Sequence, residues 1–324
     1  MNEISEIVGR ILNGRTADSW QALIDGGFVG VGVAEESGGS GGSLQEAADI
    51  LELAAYHCSD IPLAETTWLA AWLLAEAGMP APTGAATAAL GDIRLSDARI
   101  DGSAWRVPFA REANEVVVLG DGLVCRVDTT HCCLRFGSNL AGESRDEIVI
   151  ADAPAVSAAT HVTADDLLMR GALARAVQLA GVARRTLDMS VRYIHEREQF
   201  GRTIARFQAV QQLIAQLASE VFIMNMSARA AVDALDTAEQ YLAVAAAKCN
   251  NSNAARTVAR IAHQLHGAIG VTYEHELRHA TTRLWSWAEE FGNARLWSRR
   301  LADFSAGWDP WELITGVDKE ALAK

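Results

Sequence analysis

The chain has 324 residues, 50% of them hydrophobic and 21% charged, which is enough apolar material for packed cores and rules out a disordered polymer. Single cores stop growing near ~250–300 residues, so two or three domains are expected. The formal net charge of −13 argues against a nucleic-acid surface, which needs clustered Lys and Arg against phosphate.

The start, MNEISEIVGRILNGR, carries early acidic residues and no apolar segment of signal-peptide length. No later run reaches the ~18 apolar residues of a membrane span, so a cytoplasmic protein with no membrane partner is expected. Helical spacing of apolar residues marks EISEIVGRIL, SWQALIDGG, SLQEAADILELAAYH and ETTWLAAWLLAEAG as helices of an N-terminal domain over 1–82. Ser43 followed by Glu46 reads as a capping box for the third of them. Beyond Pro80 and Pro82 the segments TAALGDIRLSDARIDGSAWRVPF, NEVVVLGDGLVCRVD and DEIVIADA show short β-branched runs broken by Asp-Gly and Gly-Asp pairs. They predict a small antiparallel β domain over 83–160. From 161 to 324 long Ala- and Leu-rich periodic segments return, at 165–196, 206–236, 238–266 and about 277–305, and predict a four-helix bundle. The fold class is therefore mostly α with a small β domain.

Five cysteines (Cys58, Cys125, Cys132, Cys133, Cys249) without CxxC spacing read as reduced thiols, not as a disulfide framework or zinc knuckle. The Gly-rich stretch GGFVGVGVAEESGGSGGS (26–43) has no strand-to-helix context and no GK[ST], so a tight inter-helix connection is expected in place of a nucleotide loop. His275-Glu276-Leu277-Arg278-His279 matches the HExxH pattern of zinc hydrolases, but Arg278 sets a cation beside the metal position and the extended motif lacks its third ligand. No metal is expected.

The run Arg197-Glu198-Gln199-Phe200-Gly201, continued by RTIARFQAVQQLIAQLA with Phe207, Gln208 and Gln211, breaks one helix at Gly201 and opens another. Helix packing explains its apolar positions but not its Arg, Gln and Phe. This run resembles the Arg-x-x-Phe-Gly turn of the acyl-CoA dehydrogenase family. Gln264-Leu265-His266-Gly267-Ala268-Ile269-Gly270-Val271 is similar to that family's Gln-x-x-Gly-Gly-x-Gly segment, and the interval between the two also fits. A weaker likeness is GFVGVGVAEESGGSGGS. The resemblance implies the order N-terminal helical domain, middle β domain and C-terminal four-helix bundle, in agreement with the periodicity. It implies that Arg197, Gln199, Phe200 and Gln208 contact FAD held mainly by a neighbouring subunit, with Gln264 and Gly267 along its adenosine diphosphate portion. An Arg fork suits pyrophosphate, and glycine permits close backbone approach.

The activity implied is α,β-desaturation of an acyl-CoA thioester, with an electron-acceptor flavoprotein as partner. It needs a carboxylate that removes the α-proton. LWSWAEEFGN (284–293) offers Glu289, which an ungapped comparison from Tyr273 places on the family's base, and Glu290, beside Phe291-Gly292. Solvated helix-surface acids are the alternative for both. The family's other base position falls near Asn253, which cannot serve. No Thr-Glu-Pro, Gly-Ser-Asp or Trp-containing strand equivalent is found, and 83–152 is short for the β domain. The chain thus resembles the abbreviated subunit of heterotetrameric bacterial enzymes of the steroid side-chain type, with 285–311 as an aromatic interface segment. A homo-oligomer, or a non-catalytic subunit that completes a partner's FAD site, are the alternatives, and a zinc hydrolase is the remotest.

Overall fold

A computed structural model of the chain describes residues 3–13 and 18–306. Two compact units divide between Ala174 and Arg175. The last part of the expected aromatic segment, 307–311, lies outside the described residues.

The first unit opens with α1 (Glu3–Asn13) and α2 (Ser19–Asp25), then a Gly-rich connection to α3 (Leu44–Tyr56). That connection is compact, not a phosphate cradle: Val31 and Val33 both bridge to Gly41, and Ser40 Oγ donates to Gly27 O at 2.7 Å. A side chain at Gly39 would put its Cβ 2.2 Å from Val33 O, so backbone approach alone demands glycine there. The capping box forms as expected, with Glu46 N donating to Ser43 Oγ at 3.2 Å and Ser43 N to Glu46 Oε2 at 2.8 Å.

Periodicity predicts a regular helix over 65–78, whereas Ala64–Ala71 is π-helical and tightens only at α4 (Trp72–Glu76). The widened turns accompany two threonines committed to other segments. Thr66 Oγ1 donates to Ala86 O at 3.0 Å and accepts from Ala86 N at 3.1 Å, and Thr67 Oγ1 donates to Val29 O at 2.6 Å. These hydroxyl bonds tie the segment to the strand that follows and to the Gly-rich connection before it.

Eight strands come next: β1 (Ala86–Leu90), β2 (Asp92–Ser96), β3 (Arg99–Pro108), β4 (Glu115–Gly120), β5 (Leu123–Asp128), β6 (Cys132–Arg135), β7 (Arg145–Pro154) and β8 (Val156–Ala159). They form two sheets, ordered β1-β4-β5-β8 and β2-β3-β7-β6. The Asp-Gly signal is realised at Asp121 and Gly122, both at positive φ, the two-residue turn that matches strand twist between β4 and β5. One pair departs from the antiparallel expectation, because β1 and β4 run parallel. The β2–β3 hairpin belongs to the other sheet, so the chain crosses over before it returns beside β1. One apolar cluster joins both sheets: Ile93, Ile100, Val116, Val118, Ile148 and Ile150 are among its buried members. Val117, alternate to Val116 and Val118 and so on the opposite face, is buried as well. This explains why the run reads as uninterrupted valine.

The helix α5 (Ala164–Glu196) begins behind a second capping box, Thr163 with Asp166. Its first turns anchor to the first unit through Arg170, whose Nε donates to Trp68 O at 3.2 Å while the guanidinium lies over the Trp68 and Trp72 rings.

The second unit holds the rest of α5 with α6 (Gln208–Asp233), α7 (Gln240–His266), α8 (Glu276–Glu289) and α9 (Ala294–Ser305). The single helix expected over 277–305 is broken at Glu290–Asn293, where Phe291 and Gly292 take positive φ of 51° and 84° and Asn293 caps α9. Buried alanines at 245, 247, 254, 255, 259 and 262 let neighbours approach α7 closely. Among the described residues no helix is long and apolar enough to cross a membrane.

Ser43→Ala removes one side-chain acceptor and the reciprocal bond, and is expected to lower unfolding free energy by about 1 kcal/mol. Urea denaturation should show a lower midpoint at unchanged slope.

Candidate functional site

Helix α5 ends at Glu196, and the chain folds into a two-residue hairpin in which Arg202 pairs with Gln199 and Thr203 with Glu198. Its turn residues are Phe200 at φ 53° and Gly201 at φ 75°. That turn favours Asn-Gly, and a bulky side chain at positive φ costs of order ~1 kcal/mol. Phe200 accepts that conformation while remaining 91% exposed, so burial does not account for it. Phe207 stands edge-on to it with centroids 6.1 Å apart, and the Arg202 guanidinium covers Phe207 at 4.4 Å. Arg197, Gln199 and Gln208 are exposed as well. Gln211 is spent structurally, donating to Ala205 O at 3.1 Å.

The second segment ends α7. Gly267 adopts φ 65° and ψ −151°, a region essentially reserved for glycine, with nothing within 4 Å of where a Cβ would stand. Gln264 and Gly267 are exposed, and Ile269, Val271 and Tyr273 continue an exposed apolar rim. The two segments meet at one end of the bundle. Tyr193, one turn before Arg197, stacks on His266 at 4.4 Å and donates to His266 O at 3.3 Å. Burial holds the His266 imidazole below its ordinary pKa, so it packs as a neutral ring.

His275 does not join His279 on a helical face. It is the N-cap of α8, and its Nδ1 accepts from Leu277 N at 3.1 Å. Arg278 lies over the Tyr273 ring at 3.8 Å. Among the described residues no three His, Cys, Asp or Glu side chains are arranged to hold a metal.

The two acids lie at the end of α8 and point to different partners. Glu289 is 48% exposed and bonds Arg256 at 2.8 Å. It also accepts from Asn293 Nδ2 at 3.0 Å, and the Asn293 bond with the Arg256 cation holds its carboxyl below the ordinary carboxylate range. Glu290 has left the helix, at φ −82° and ψ 146°, and meets the buried Arg175 at 2.8 Å. Arg175 also lies 5.4 Å from the Phe291 ring centroid. Beside them Lys248, 0% exposed, donates to Ser252 Oγ at 2.8 Å, Ala288 O at 2.9 Å and Gly292 O at 2.7 Å. Sequence reasoning passed over Arg175, Arg256 and Lys248. Arg175 and Lys248 carried a signal, each a lone cation inside an apolar run (GALARAVQLAG, AVAAAKC) where a charge is costly unless it is partnered.

A family profile, "Acyl-CoA dehydrogenase, C-terminal domain", matches residues 162–292. Acyl-CoA dehydrogenase FadE34 of Mycobacterium tuberculosis is 30% identical over 88% of this chain and 42% of its own length. Acyl-CoA dehydrogenase IpdE2 of Mycolicibacterium smegmatis is 29% identical over 87% of this chain and 86% of its own. The chain therefore spans less than half of FadE34 but most of IpdE2. Among solved structures, the ChsE4–ChsE5 complex of Mycobacterium tuberculosis matches with TM-score 0.84 at 21% identity, over 96% of this chain and 99% of that one. A variant of the Tcur3481–Tcur3483 steroid ACAD matches with TM-score 0.82 at 23% identity, over 94% and 97%. The fold is that of acyl-CoA dehydrogenases, as the sequence led one to expect, and residues 162–292 match that family's C-terminal domain.

Phe200→Asn creates the favoured Asn-Gly turn and is expected to raise unfolding free energy by about 0.5–1 kcal/mol. A lower denaturation midpoint would show that the Phe200 ring contributes to the fold itself.

Proposed function

We propose that the chain is a subunit of an FAD-dependent acyl-CoA dehydrogenase, working with a second, related chain to desaturate an acyl-CoA between its α and β carbons. Bulky acyl groups of the steroid side-chain type are the proposed substrates, and an electron-accepting flavoprotein is the proposed third partner. The proposed domains are 1–82, 83–160 and 161–324. The observation that carries this reading is that Arg197, Gln199, Phe200, Gln208, Gln264 and Gly267 are all exposed, with Phe200 and Gly267 at positive φ.

These groups fit the diphosphate and adenosine end of the cofactor. The Arg197 fork suits phosphate oxygens, Gln199, Gln208 and Gln264 supply amide donors and acceptors, and the open space at Gly267 admits close backbone approach. When bound, FAD supplies the hydride acceptor for the substrate β-carbon. Glu289, the more accessible acid, is the proposed base, with Glu290 as its substitute. A second reading is favoured by their ion pairs: a carboxylate held low by a cation and an amide is a poor general base, which suits a subunit that completes a partner's site and leaves proton abstraction to it.

Visible absorbance of the chain purified alone and with its related chain tests the reading. Flavin bands are expected only with the partner, and a full flavin complement on this chain alone would overturn the split site. Arg197→Ala should weaken flavin retention in the complex by about 10–100-fold, the worth of a charge-assisted bond. Glu289→Gln should lower turnover by about 10²–10⁴-fold if it is the base. Unchanged turnover in both Glu289→Gln and Glu290→Gln assigns the base to the partner.

A further inference from the structure

The turn between α8 and α9 is held by more groups than a chain reversal needs. Phe291 sits at φ 51° beside Gly292 at φ 84°, and a left-handed non-glycine residue persists only where its surroundings over-determine it. Trp297, fully buried, donates its indole N–H to Phe291 O at 2.9 Å, and Asn293 Oδ1 accepts from Leu296 N at 3.1 Å. Arg175 holds Glu290. Lys248 reaches across from α7 to Ala288 O before the turn and Gly292 O within it. Its third bond is to Ser252 Oγ, which itself donates to Ala288 O at 3.0 Å.

An ammonium has three donors and no acceptor, and three oxygens meet it here. The lysine satisfies two carbonyls that an apolar side chain of similar length would leave without this donor, at the cost of burying an ammonium. What the cation adds is direction, because it ties the carbonyl of Ala288, before the strained turn, and that of Gly292, within it, to one point. We propose that Lys248 is a positioning residue that fixes the α8 terminus and the Glu290–Asn293 turn through Ala288 O and Gly292 O, and so sets where Glu289 and Glu290 point. The link to turnover rests on the subunit reading above; the clamp itself does not.

The charged and titratable groups that act on Lys248 are Glu290 of the turn, Arg175 of α5, Glu289 of α8 and Cys249 of α7. Burial is the largest influence and pulls its pKa down to about 7. Burial favours the neutral amine, so an opening of the turn that hydrates Lys248 is easiest below that value, where the buried charge gains water, and becomes harder as pH rises through it. Global stability moves the same way. The folded pKa lies below the ordinary 10.5, so the unfolded chain binds more protons between the two values and unfolding free energy rises with pH across that window.

Hydrogen exchange of segment 290–297, corrected for intrinsic pH dependence, tests this on the full chain between about pH 5.5 and 9.5. The wild type is expected to gain protection with rising pH through a transition near the Lys248 pKa, about 7. Lys248→Met should exchange fast at every pH, and Ser252→Ala, which keeps the lysine but removes an acceptor, should move the transition lower. Protection in Lys248→Met equal to wild type, or a wild-type transition that Ser252→Ala leaves in place, overturns the proposal. Turnover separates it from the function it rests on. With the base at Glu289 or Glu290, Lys248→Met lowers kcat by about 10–100-fold at little-changed KM. Faster exchange with unchanged kcat supports the clamp and places the base on the other chain.

Discussion

Lys248 lies in the Ala-rich middle of α7 with none of its surface exposed, so the bundle can close around it only if other elements deliver oxygen acceptors to one point. Two of them are carbonyls at the end of α8 and in the turn beyond it, where a helix carries unpaired acceptors and a negative dipole end. The cation thus takes up groups that would otherwise need water. Arg175 approaches from α5 and takes Glu290, so α5, α7, α8 and the start of α9 share one polar centre. A second such centre lies nearby on α7. Asn251 Nδ2 donates to Ala176 O at 3.0 Å and Met224 O at 3.1 Å, and its Oδ1 accepts from Ser227 Oγ at 2.9 Å. Alanine faces alone would let helices slide past one another. These directional bonds fix their register.

The end of the bundle that carries the two family motifs is built on rings. Tyr193 stacks on His266, His266 meets His275 edge-on at 5.2 Å, and His263 stacks on Trp285 at 5.6 Å while bonding Thr281 at 3.0 Å. Burial keeps His263 and His266 below their ordinary pKa, so neutral rings provide flat packing surfaces and leave the charge to the exposed Arg197. The His275-to-His279 run that imitates a zinc motif in the sequence is absorbed here as a helix cap and a ring contact.

Much of this was legible in the sequence, for stated reasons. Helical periodicity marked α5, α6 and α7 because each buries one stripe, and Ser43 with Glu46 marked the start of α3 because the box is local. The parallel β1–β4 pair was not legible, since it depends on β2 and β3 joining a different sheet, a non-local choice. The break at Glu290–Asn293 was half-legible. Gly292-Asn293 is a stop-and-cap pair, but the helical periodicity on both sides of it concealed the break. Of the site, residue types were readable and geometry was not: Glu289 and Glu290 are neighbours in the chain, yet the helix ends between them and sends one to solvent and the other to a buried arginine.

That divergence bears on how the chain contributes to chemistry. Proton abstraction beside a thioester calls for a carboxylate whose pKa is raised toward the working pH by loss of solvent. Glu289 is shifted the other way by Asn293 and Arg256, and Glu290 faces a guanidinium that is itself buried. Conformational cost is met at the surface as well as in the Glu290–Asn293 turn. Phe200 holds an exposed ring at positive φ, and Gly267 holds backbone open in a conformation other residues avoid. A chain that stabilises its acids as ion pairs and strains its exposed Arg-x-x-Phe-Gly turn is shaped more for what it presents than for what it encloses. Under the proposed two-chain reading, that makes its surface the larger part of its contribution.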